Sequence, residues 1–122
     1  MENYIEVIQQ LLALLDTMEE GMIDIKRQLG ELRYEGALRL LGDVMLGVSS
    51  IDDALEPMMD KLEANDIKET EGRLKEVLNG LINTYEDNRE VELEKQVEED
   101  ALATFKAWKE EIERVLQPYL IA

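Results

Sequence analysis

A chain of 122 residues that is 45% hydrophobic and 34% charged fits one domain with a real core, residues 1–122, and is too apolar for disorder. Its formal net charge of −16 at pH 7 opposes direct binding to nucleic acid or to an anionic membrane, since phosphate recognition needs Lys and Arg, so neither is expected as a partner. With no Cys there are no disulfides or thiol chemistry, and with no His the commonest general base is missing.

The first element is a helix. Asn3, Tyr4, Ile5 and Glu6 have the form of a capping box, so the helix is expected to start at Asn3. Tyr4, Ile8, Leu11, Leu15, Met18, Met22, Ile25 and Leu29 then hold one stripe, with Val7, Leu14 and Gly21 on an adjoining face. Gly30 is placed to end it. Residues 31–33 make a tight turn, so the next helix should run antiparallel.

That second helix is the central element. Tyr34, Ala37, Leu41, Val44, Val48, Ile51, Leu55, Met58 and Leu62 alternate three- and four-residue steps. Leu38, Leu40, Met45, Leu46 and Met59 widen the stripe, which implies neighbours on more than one side. Gly42, Gly47, Ser49 and Ser50 crowd its middle with poor helix formers, read either as close helix packing or as a compliant segment that opens for a ligand. Pro57 predicts a bend near residues 53–56, or a stop near Ala54 and a restart with Pro57 in the first turn.

Residues 63–66 read as the next connection. A second capping box, Asp66 to Glu69, opens a third helix with Ile67, Leu74, Val77, Leu78, Leu81, Ile82 and Tyr85 on its core face. A third box, Asp87 to Glu90, places the break before the fourth helix near residues 86–88, with a competing break near 98–100. Val97, Ala101, Phe105, Trp108, Ile112, Val115 and Tyr119 form the last stripe, and Pro118 ends it. The apolar tail from Tyr119 should fold onto the bundle end. An all-α, antiparallel up-and-down four-helix bundle is the simplest architecture.

Little chemistry is visible in the residues. Without His or Cys there is no nucleophile–base pair, no HExxH zinc site and no Glu-x-x-His di-iron pattern. The carboxylate groups Glu19-Glu20, Asp52-Asp53-x-x-Glu56 and 98–100 lack the order of an EF-hand, and no glycine precedes a phosphate-binding Lys-Ser or Lys-Thr. Phe105, Trp108, Tyr85 and Tyr119 read as core rather than as an aromatic pocket. No enzyme and no cofactor are expected. No apolar run reaches the roughly 20 residues that span a bilayer, and no secretory leader is visible, so a cytoplasmic protein is expected.

The remaining signal is apolar surplus. Val7, Leu14, Ile23, Leu40 and Leu46 exceed what one bundle stripe requires, so they are the candidate partner-binding residues, for another protein or a second copy. The alternative is a small-ligand or divalent-cation binder using the Gly/Ser-rich middle of the second helix with Asp52.

Two stretches resemble known proteins. Residues 30–38 resemble the helix-turn-helix connection of tetratricopeptide repeats, although the 34-residue period does not recur. Residues 32–41, LRYEGALRLL, the turn at Tyr85, and Trp108 followed by Leu116-x-Pro-Tyr together resemble a family of short, uncharacterised acidic helical proteins from Gram-positive bacteria. That resemblance spans most of the chain and implies the fold but no activity. Size and helical pattern are also similar to bacterial flagellar export chaperones, which implies a bundle that sequesters helical segments of a client.

Overall fold

In the computed structural model, residues 2–121 are described and no strand occurs among them. Helix α1 is Ile5–Gly30, entered through a single 3-10 turn, Glu2–Tyr4. Helix α2 is Tyr34–Leu55, and α3 is Ile67–Glu86. Helix α4 spans residues 93–116 as one rod built from Leu93–Gln96, a π-helical turn Val97–Ala101, and Leu102–Leu116. A last turn, α5, is Pro118–Ile121.

Side-chain neighbours give the topology. A Cβ built on Gly47 would lie 2.7 Å from Met18 Sδ, and one on Gly21 would lie 3.5 Å from Val44 Cγ2, so α1 and α2 run antiparallel. Helix α2 continues this with α3, where Asp52 bonds Lys68 and the segment at Val48 lies beside Leu78. Helices α3 and α4 meet at Thr70 and Ala107, and α4 returns to α1 through Lys109 with Asp16 and Glu19 and through Lys26 with Glu98. Each helix therefore packs on two neighbours, in an up-and-down four-helix bundle.

The core follows the expected stripes. From Ile8 to Leu29, and from Ala37 to Leu55, the three–four positions are buried, with Tyr4 and Tyr34 half-buried at the ends. Phe105 and Trp108 are fully buried and meet edge to face at 5.8 Å, so the aromatic residues of α4 are packing. The tail does fold back: Tyr119 and Leu120 pack on the core, while Ile121 points outward.

The second helix ends sooner than its apolar stripe suggests. Pro57 has no N–H to give Asp53, so the ladder stops at Leu55 and the chain tightens into a 3-10 segment, Glu56–Lys61, with Pro57 in its first turn. Met58 stays buried because the 3-10 segment continues the same course. Of the middle glycines, Gly47 is the close-packing one. Gly42 is exposed, with nothing within 4 Å of an added Cβ.

None of the three capping boxes forms. Helix α1 is entered through Tyr4 with no side-chain cap, because the preceding 3-10 turn already occupies the Asn3 position. At α3, Asn65 Oδ1 accepts the Ile67 N–H at 3.0 Å and Glu111 Oε2 accepts the Asp66 N–H, so Asn65 and Glu111 do what Asp66 and Glu69 were expected to do. Asp87 lies at the end of α3 rather than the start of α4. Arg89 N–H bonds Thr84 O and Asn88 N–H bonds Tyr85 O, with Asn88 at φ 60°, which is a Schellman ending. Helix α1 ends the same way, Arg33 to Gln28 and Leu32 to Leu29, so Leu32 at φ 61°, not Gly30, is the left-handed residue.

The ambiguous acidic run around 98–100 is the π-helical turn. Leu93, Val97, Ala101 and Phe105 recur every four residues, which on a regular helix drifts about 40° per step. One π turn takes up the extra residue and keeps all four in the core, so the rod continues where a break had been an option.

Candidate functional site

The five sequence-predicted residues do not converge on one face. Val7 and Leu14 lie half-buried on the side of α1 that meets α2, and with Gln10, Ser50 and Ala54 they line a shallow groove of about 160 Å³. Leu40 packs against the core from α2 and is also half-buried. Ile23 is exposed on the opposite flank of α1, four residues after Glu19 and three before Lys26, both of which reach α4. Leu46 is exposed on the back of α2, away from its buried neighbours Val44, Val48 and Ile51.

Another apolar surface forms at the end of the bundle that carries the α1–α2 turn and the approach to α4. Leu32 is 70% exposed and Val91 is 82% exposed, and both line one depression of about 270 Å³. Its apolar floor is Leu29 and Tyr34, and its charged rim is Glu90, Glu94, Glu98 and Lys95. The local sequence builds this surface. The Schellman ending of α1 turns Leu32 outward, and the short 3-10 turn Glu90–Glu92 holds Val91 off the core before α4 begins at Leu93.

The rim carboxylates are thinly neutralised. Glu98 meets Lys26 at a loose 3.8 Å, and the Glu94 carboxylate lies close over Gly30, where an added Cβ would fall 2.9 Å from Oε2. Glu90 Oε2 is buried from solvent and accepts no hydrogen bond. Arg89, the nearest cation in sequence, is turned to Asp87 and Glu92.

Sequence reading passed over this surface. Leu32 sat in a three-residue turn and Val91 in a run of charge. The available signal was a large apolar side chain at a position where the helix ending requires a left-handed residue.

The remaining charged clusters hold helices together. Lys109 lies nearly buried between Asp16 at 3.1 Å, Glu19 at 3.2 Å and Glu113 at 3.4 Å. Burial pulls its pKa down, but these partners more than offset that and the net direction is up. Asp52 is not free for a cation: Lys68 Nζ lies 2.6 Å away, lowering Asp52 and raising Lys68 to about 12. Among the described residues, no three His, Cys, Asp or Glu are placed to hold a metal ion. Nor is any described helix long and apolar enough to cross a membrane.

These features define a small acidic all-helical bundle with an apolar depression at one end. The chain belongs to the family described as Domain of unknown function (DUF8042), whose model matches residues 6–111. No curated protein and no solved structure matches it.

Proposed function

We propose that this domain is a non-catalytic protein-interaction module whose docking surface is the depression between Leu32 and Val91. The observation that carries this reading is the pairing of two large, well-exposed apolar side chains over one concavity, where isolated exposed residues would need no explanation. Docking would proceed by burial of Leu32 and Val91 against an apolar anchor, with the acidic rim setting register and partner choice. A photo-crosslinking residue at position 91, with position 46 as the control, tests it in the native cell. A crosslinked partner specific to position 91 is the expected result; identical products at both positions would sink the reading.

The α1–α2 groove supports a second reading. Val7 and Leu14, facing Ser50 and Ala54 across the seam, would hold a helix of a client, in the manner of an export chaperone, or of a second copy. Replacing Val7 and Leu14 with Glu should then abolish association while helicity persists. Association that survives both changes excludes this groove.

A further inference from the structure

We infer that the segment docking on the Leu32–Val91 depression is a short basic stretch of a partner polypeptide carrying a large apolar side chain. This rests on the function proposed above and adds the chemistry of the partner.

The apolar part follows from the floor. Leu29, Leu32, Tyr34 and Val91 offer carbon to a side chain entering from above. A purely ionic ligand would leave Leu32 and Val91 in water and gain nothing from them. The basic part follows from the rim. Three carboxylates, Glu90, Glu94 and Glu98, face one lysine, Lys95, around the opening.

The same rim argues against the other occupants. A second copy placed symmetrically would set two rings of carboxylate against each other, on chains that each carry a net charge of −16. An anionic lipid surface would be repelled for the same reason.

The test uses the full chain and three short synthetic peptides followed by amide NMR. One peptide carries Lys and Arg around a central Leu pair. The second replaces the basic residues with Glu, and the third replaces the Leu pair with Ser. Binding of the first peptide alone, with shifts centred on Leu32, Tyr34, Val91 and Glu94 and an affinity that falls as salt rises, is the expected outcome. Val91→Ser should weaken it roughly tenfold, while Leu46→Ser, the same loss of apolar surface on the back of α2, should not. Both side chains are exposed, so neither change threatens the fold.

Shifts spread over the acidic surface and insensitive to Val91→Ser would overturn the inference as bulk electrostatics. Equal binding of the Glu peptide would overturn it as well. So would concentration-dependent shifts at Leu32 and Val91 without peptide, which would mean a second copy. If no peptide binds yet the crosslink at position 91 persists, the partner chemistry is wrong and the docking surface stands. Loss of that crosslink removes the surface itself.

Discussion

The carboxylate of Glu111, on α4, accepts the backbone N–H of Asp66 at 2.7 Å, 45 positions away in sequence. It closes the entry to α3 from a neighbouring helix, and Arg114 fixes it from the same face at 2.9 Å. Helix α3 thus starts with two donors satisfied, one by Asn65 and one by Glu111. Glu111→Ala should cost about 1–2 kcal/mol in a denaturant titration at neutral pH. Glu69→Ala, at the position expected to do this work, should stay within about 0.5 kcal/mol, since Glu69 has only a loose surface pair with Arg73.

The same bond has a pH signature. Arg114 first, and the Asp66 N–H second, hold Glu111 down from its ordinary 4.5 to about 2. A depressed carboxylate stabilises the fold above its unfolded value and loses that contribution as pH falls through its folded value. The stability gap between the natural protein and Glu111→Gln should therefore be full at neutral pH, shrink below about 4.5, and close near 2. A gap that is flat across that window would show that the carboxylate charge plays no part.

Leu32 occupies the left-handed region at φ 61°, where a β-carbon crowds the following carbonyl. Asn88 does the same work at the end of α3 with a residue suited to it. Leu32→Asn should raise stability by about 1 kcal/mol, read as a higher melting temperature. If the end depression is the docking surface, the same variant should bind its partner more weakly. A stabilised variant with undiminished binding would separate the strain at Leu32 from function.

The four helices were legible because their stripes were long and regular. Ile8, Leu15, Met22 and Leu29 sit one heptad apart, and such spacing admits one buried face whatever the neighbours are. The caps were not legible, because Ser-x-x-Glu-type signatures are local while the group that met Asp66 came from another helix. The π-helical turn was half visible: steps of four from Leu93 to Phe105 conflict with a regular helix, and only packing decides whether the chain breaks or widens. The candidate surface escaped for a related reason. A surplus of apolar residues along α1 and α2 does not reveal that Val7 and Leu14 will half-bury in a helix seam, nor that Leu32 and Val91, far apart in sequence, will share one opening.

The glycines of α2 separate by the same logic. A Cβ at position 47 would meet Met18 Sδ at 2.7 Å and Cγ at 3.1 Å, and Met18 is itself buried with little room to yield. Gly47→Ala should therefore destabilise by about 1–3 kcal/mol through overpacking. At position 42 an added Cβ meets open space, so Gly42→Ala should stabilise by about 0.5–1 kcal/mol through reduced unfolded-state entropy. Equal effects at the two sites would mean that the α1–α2 approach at Met18 is looser than the structure shows.

Glu71, on α3, is the carboxylate most at odds with its place. It is 5% exposed, Oε1 accepts no hydrogen bond, and Oε2 meets Lys75 at 3.1 Å. Burial pushes its pKa up; Lys75 opposes this, and Asp52 across the α2–α3 interface adds to the rise. A carboxylate raised in the fold is costly when charged, so the cost is present above its folded value and is relieved as pH falls below it. Glu71→Gln removes the charge and supplies a donor, and should stabilise by about 0.5–1.5 kcal/mol at neutral pH. The advantage should narrow on acidification, the reverse of the direction in which a productive ion pair would act. Thermal melts of both proteins from neutral to acid pH decide it: a Gln variant less stable at neutral pH would show that the Lys75 pair outweighs the burial of Glu71.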